Sequence, residues 1–193
     1  MPVPVCSYWE SLLHPSERVA ACQEPGGLEY IHQVAKDFNP DVIVELGTQS
    51  GGVTIALHEA CAEARLDSFD IENNVLFTAE FISVHALWPK TPRALFGRNV
   101  TFWSVDVLLE GDNLLRYPFS LPGRKLLYCD NGNKREEVRL WSPYLKPGDL
   151  LGVHDWMEEI GPEDIPAGFI PYRHEECQGR YLLSRFWLKE GVR

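Results

Sequence analysis

Between residues 28 and 38 the apolar positions Leu28, Ile31, Val34, Ala35 and Phe38 recur at intervals of three and four. This is the spacing of a helix with one buried face, and Asn39-Pro40 ends it. The next run, Val42-Ile43-Val44-Glu45-Leu46, is short, β-branched and apolar on both sides, as expected of a central strand in a parallel sheet covered by helices on each face. The pattern then alternates. A glycine-containing turn leads to a helix over about 52–64, a strand over 66–71, a helix over about 75–87, and strands over 100–105 and 125–129. A helix over 134–145, closed by Lys146-Pro147-Gly148-Asp149, precedes a strand over 150–153. Strands spaced by helices imply right-handed crossovers. Two further strand-like segments, 169–174 and 181–188, flank Glu175-Glu176-Cys177-Gln178-Gly179-Arg180 and read as a terminal antiparallel hairpin. The expectation is an α/β, Rossmann-like doubly wound, mostly parallel seven-stranded sheet with a C-terminal antiparallel hairpin, in one domain spanning 1–193. Residues 1–27 read as an irregular N-terminal arm.

Composition narrows the partners. A formal net charge of -10, from 28 acidic and 18 basic residues, repels phosphate backbones and anionic lipid surfaces, so neither nucleic acid nor membrane is expected to bind. Lys134 and Arg135 form the most basic stretch, and Glu136 and Glu137 follow at once, which reads as a solvated helix face. No apolar run approaches the about 20 residues that cross a bilayer. The start Met1-Pro2-Val3-Pro4-Val5 has no leader character, so a cytoplasmic protein is expected. Five widely spaced cysteines without a Cys-x-x-Cys pair read as reduced structural thiols, Cys129 among them.

In an open parallel sheet, ligands bind outside the carboxyl ends of the strands. Here those ends carry Glu45-Leu46-Gly47-Thr48-Gln49-Ser50-Gly51-Gly52, then Asp70-Ile71, Asp106, Asp130 and finally His154-Asp155. Gly47 and Gly51 permit a tight turn and close backbone approach to a ligand. A dinucleotide turn would have Gly-x-Gly-x-x-Gly, whereas Glu-x-Gly-x-x-x-Gly places an acid on the strand, suited to an amino-bearing ligand and not to a diphosphate. Asp70 is placed to accept ribose hydroxyls, with Glu72 a close competitor. Asp106 faces an adenine amino group or caps a helix.

These residues resemble a class I S-adenosylmethionine (SAM)-dependent methyltransferase over about residues 28–156. Glu45 to Gly51 matches the family's first motif, Asp70 its ribose-binding acid and Asp106 its adenine-side acid, while Asp130 sits at the end of its fourth strand. The resemblance implies SAM as cofactor, held by Glu45, Gly47, Thr48, Gly51, Asp70, Ile71, Asp106 and Asp130. Within the family the chain resembles the branch with cephalosporin-hydroxylase-like proteins and macrolide or sugar O-methyltransferases, some of which hold magnesium at two strand ends. That carries Asp130 and Asp155 over as metal ligands for Mg²⁺. Relatives often have Asp-Gly-x-His after the fourth strand, where this chain has Asp130-Asn131-Gly132-Asn133.

Two mechanisms follow. A divalent ion would lower the pKa of a substrate hydroxyl and orient it. Without metal, His154 takes the proton while Asp155 orients the ring. Asn133 with Glu136 has the form of a capping box. Trp156 and the acidic stretch 158–167 read as a lid or acceptor wall, or as a plain surface loop. The leading expectation is an enzyme that methylates a hydroxyl on a sugar or other small molecule. Rivals are a SAM-binding protein of this fold that does not methylate and an NAD-dependent oxidoreductase, the latter disfavoured by the missing third glycine. A homo-oligomer stays open.

Overall fold

The structure, a computed structural model, describes residues 26–48, 51–71, 99–108 and 112–191. The expected N-terminal arm up to residue 25, the helix at 75–87, Gln49, Ser50 and Glu72 lie outside them.

Helix α1 (Gly27–Phe38) leads into β1 (Val42–Leu46), α2 (Gly52–Ala60) and β2 (Arg65–Asp70). Then come β3 (Val100–Ser104), α3 (Asp112–Ser120), β4 (Lys125–Cys129), α4 (Lys134–Trp141) and β5 (Leu150–Val153). The chain closes with β6 (Phe169–Tyr172) and β7 (Arg185–Lys189). The strands form one sheet in the order β3-β2-β1-β4-β5-β7-β6. β1 to β5 are parallel, and β7 inserts antiparallel between β5 and β6. The expected doubly wound sheet with an antiparallel hairpin is therefore the observed one, with the order reversing between β1 and β4.

Because side chains alternate along a strand, β1 feeds two cores. Ile43, Leu66, Leu126, Tyr128, Leu150 and Phe186 pack under α1 and α2. Val42, Val44, Leu46, Phe69, Leu127 and Cys129 pack on the opposite side with Leu115 and Phe119 of α3 and Val138 and Trp141 of α4. Burial of both faces explains why β1 and β4 read as continuous apolar runs. Gly152 of β5 lies between Tyr128 and Phe186 in the paired register, and a Cβ there would come within 2.6 Å of the Phe186 ring. Its glycine lets two aromatic rings close over the sheet.

Several local readings change, among them the hairpin, whose strands are Phe169–Tyr172 and Arg185–Lys189 and not 169–174 and 181–188. The helix after β1 stops at Ala60, not near 64, and the chain turns at Cys61 into β2. The α-helix from Lys134 ends at Trp141 and passes into a 3-10 turn, Ser142–Tyr144, because Pro143 lacks the donor that would continue it. Helix α3 has no counterpart in the sequence reading; its Pro118 obscured the helical pattern.

Candidate active site

The strand ends are locked together by main-chain bonds that continue past the strands. Gly47 N–H donates to Phe69 O (2.8 Å), Asp130 N–H to Leu46 O (2.7 Å) and His154 N–H to Cys129 O (3.1 Å). This ladder brings the ends of β2, β1, β4 and β5 to one edge, at the switch in strand order where open α/β sheets bind their ligands. Gly47 has φ 99°, and a Cβ on it would lie 2.3 Å from the Asp130 carbonyl oxygen. The glycine is thus required by the close approach of β4's end to the turn, not only by a ligand. Gly51 is also left-handed, at φ 82°, and starts α2.

Glu45 is fully buried. Its Oε2 accepts from Thr54 Oγ1 (2.6 Å) and Ser68 Oγ (2.5 Å), while Oε1 has no partner among the described residues. The Thr48 and Ser68 hydroxyls are hydrogen-bonded to each other at 2.6 Å. Hydroxyls supply dipoles but no charge. Burial therefore pushes the Glu45 carboxyl up to about 8, against the lowering effect of those two bonds. Without a counter-charge, burial thus works against the negative charge expected on this strand.

Asp70 is buried at the end of β2, and Ile71 beyond it is exposed. Asp106 Oδ1 accepts from Leu108 N–H at 2.9 Å, a local Asx turn.

At the other side of the crevice, His154 Nδ1 lies 3.2 Å from Asp130 Oδ1 and 3.1 Å from Asp155 Oδ1. Carboxylates only accept, so it is a proton on Nδ1 that faces Asp130 and Asp155. Asp155 reaches this position with a left-handed φ of 52°, uncommon for a residue with a side chain.

Lys134 overturns the sequence reading. Instead of lying on a solvated face, its side chain is only 3% exposed, and Nζ sits 2.7 Å from Asp155 Oδ2, 3.0 Å from Glu159 Oε2 and 3.4 Å from Asp130 Oδ1. The inward face of α4 carries Lys134, Glu137, Val138 and Trp141. Projecting the apolar pair Val138 and Trp141 back along the helix would have found it. Its pKa is raised: burial alone would lower it, and the surrounding carboxylates outweigh that.

The capping pattern also shifts by one residue. Asn133 caps α4 through Glu136 N–H, but Glu136 pairs with exposed Arg139. The carboxylate that reaches back is Glu137, which accepts from Asn131 N–H (3.3 Å) and Asn133 N–H (3.2 Å) and staples the turn after Asp130. Its burial pushes its pKa up to about 7. Trp156 packs against Trp187 at 4.8 Å between ring centres. The stretch 158–167 is fastened to α4 through Lys134–Glu159 and through Arg135, which donates to Glu159 O (2.8 Å) and pairs with Asp164 (3.3 Å).

The two groups implied by the resemblance meet these residues differently. For SAM, an unpartnered buried carboxyl oxygen on Glu45 and an acid at the end of β2 fit a ligand with an amino group and a ribose. For a divalent ion, Asp130, His154 and Asp155 bring ligand atoms within 4.8 Å of one another, but the Lys134 ammonium already lies among the carboxylates. The set does not fit a divalent cation.

In sequence, no family model and no curated protein matches the chain. Solved structures do match in fold. The O-methyltransferase TomG from Streptomyces achromogenes, involved in tomaymycin synthesis and solved with SAM, superposes with a TM-score of 0.54 at 18% identity, over 95% of each chain. A Klebsiella pneumoniae protein assigned as an O-methyltransferase gives 0.61 at 12% identity, over 98% of this chain and 92% of its own. The sugar N-methyltransferase KedS8 from a Streptoalloteichus species gives 0.53 at 11% identity, over 86% and 87%. The chain therefore has the fold of the SAM-dependent methyltransferases, as the strand-end residues implied.

Proposed function

We propose that the protein is a SAM-dependent methyltransferase acting on a hydroxyl of a small molecule, with a sugar-like acceptor as one candidate class. The observation that carries this reading is the pairing, across one crevice, of a half-satisfied buried Glu45 with a His154 whose Nδ1 is held by two carboxylates. Structural neighbours that methylate small molecules, one of them solved with SAM, support it.

Glu45, Gly47, Thr48, Gly51, Asp70, Ile71, Asp106 and the Asp130 end of β4 would hold the cofactor. When bound, it supplies an electrophilic methyl group on a sulfonium. The chain's own part is alignment and proton removal. His154 takes the acceptor hydroxyl's proton at Nε2 as the oxygen becomes nucleophilic. Asp130 and Asp155 hold Nδ1–H and stabilise the imidazolium that results. The methylated product and S-adenosylhomocysteine (SAH) leave, and the proton passes to solvent. No step is assigned to Mg²⁺, because the Lys134 ammonium already lies against the carboxylates that would bind it. The acidic surface disfavours a nucleic-acid acceptor, and among the described residues no helix is long and apolar enough to cross a membrane.

The test is a thermal-shift comparison of SAM, SAH and NAD, followed by SAH release with pooled hydroxylated acceptors. Stabilisation by SAM and SAH but not NAD, with acceptor-dependent SAH release, is expected. Stabilisation by NAD alone would overturn the reading.

A further inference from the structure

One ammonium and three carboxylates from separate elements meet at the reaction end. Asp130 follows β4, Asp155 follows β5, Glu159 lies in the turn beyond, and Lys134 opens α4. The Lys134 side chain is almost wholly buried, whereas those of Asp130 and Asp155 are 17% and 19% exposed. Lysine is rarely buried to this degree unless paired, and here it has three acceptors within 3.4 Å.

The carboxylate oxygens are shared in an ordered way. Asp155 presents Oδ2 to Lys134 and Oδ1 to His154, while Asp130 Oδ1 faces both. The ammonium therefore fixes the two carboxylates that in turn hold the imidazole. A divalent ion bridging Asp130, His154 and Asp155 would have to share these oxygens with the ammonium and sit beside its positive charge. It would also need Nδ1 of His154 stripped of the proton that both carboxylates accept.

We infer that Lys134 is a positioning residue that stands where a divalent cation would otherwise stand, setting Asp130 and Asp155 around His154, and that removing its ammonium turns the cluster into a divalent-metal site. Asp130, Asp155 and His154 supply the oxygen and nitrogen donors that manganese accepts. The kinetic arm of the test rests on the methyltransferase reading, whereas the metal-binding arm is independent of it.

The full chain is titrated with Mn²⁺ alone, and the free-ion signal is followed by electron paramagnetic resonance. The wild type should show no saturable site below about 1 mM, the weak end of protein sites for hard divalent cations. Lys134→Met should bind at least about tenfold more tightly than the wild type, with the gain removed by Asp155→Asn in the same background. Lys134→Arg, which keeps the charge, should behave as the wild type. In turnover, the wild type should be insensitive to EDTA, and Lys134→Met should lose activity and regain part of it on adding Mn²⁺. A purely structural lysine would give no such rescue.

Saturable Mn²⁺ binding by the wild type that disappears in Asp155→Asn would overturn the inference, and this holds even if Lys134→Met does not fold. A folded Lys134→Met without a gain in Mn²⁺ binding would overturn it as well. If the Mn²⁺ results come out as expected while no variant or wild type releases SAH, the methyltransferase reading falls and the lysine assignment stands.

Discussion

The two ends of the crevice solve the same electrostatic problem in opposite ways. At the end of β1, a buried carboxyl accepts from two hydroxyls, meets no cation among the described residues, and has its pKa pushed up to about 8 by burial. At the ends of β4 and β5, two carboxylates are met by the Lys134 ammonium and the His154 imidazole. Burial without a counter-charge suppresses ionisation, whereas burial beside a cation sustains it. The first arrangement leaves a group whose charge a cationic ligand could restore. The second builds its own ion network before any ligand arrives, and so can hold a base in one tautomer.

The contrast is broken most severely at the reaction end. His154→Gln removes the lone pair that takes the proton, and kcat should fall by about 10²–10⁴-fold, the range for loss of a general base. SAH affinity, measured by calorimetry, should stay near the wild-type value. A comparable loss in SAH affinity would place His154 in the cofactor site instead.

At the β1 end, the expected effect is a pH dependence. Glu45 has a folded pKa raised from 4.5 to about 8. The folded state therefore binds the proton more tightly than the unfolded chain, and the stability gained from it is full below about 4.5 and declines as pH rises through about 8. Between those limits the ligand-free wild type should lose stability relative to Glu45→Gln, which carries no ionisable group there. Urea melts of both proteins at pH 5 and pH 8 test this, and parallel curves would show that Glu45 is already ionised in the fold. By the same linkage, if a cofactor ammonium draws Glu45 into its charged form, SAM binding near neutral pH should release a proton. Calorimetry in buffers of different ionisation enthalpy would detect it.

The smallest effect separates two neighbouring glutamates. Glu137→Gln loses one of the two acceptors that staple Asn131 and Asn133, and should cost about 1–3 kcal/mol, as for a buried donor left unpaired. Glu136→Gln touches only the exposed pair with Arg139 and should leave the Tm unchanged. Equal shifts in Tm would show that the staple contributes nothing to the turn after Asp130.

The sheet was legible because its strands are covered on both faces. Val42 to Leu46 and Lys125 to Cys129 stand out as apolar runs, and the acids after them mark the crevice. The reaction end was legible in part: Asp130, His154 and Asp155 were singled out and the fold brings them together. Lys134, Glu137 and Glu159 were missed because a charged residue on a helix normally faces water, and only the third dimension shows that α4 turns its first residues inward. Ser68 and Thr54, the partners of Glu45, were missed for a different reason. Hydroxyls inside a strand and a helix carry no spacing that distinguishes a carboxyl's partner from ordinary filler. Helix α3 was hidden by a proline in its interior.

The account stands on a division of labour between the two ends, and a paired measurement on Asp70→Ala and Asp155→Ala tests it most directly: SAH affinity by calorimetry beside SAH release with an active acceptor. Asp70→Ala should weaken SAH binding by about 10–100-fold, the loss of charge-assisted hydrogen bonds. Asp155→Ala should abolish turnover and bind SAH as the wild type does. Equal losses of affinity in both variants would contradict the division, and with it the assignment of one end to the cofactor and the other to the reaction.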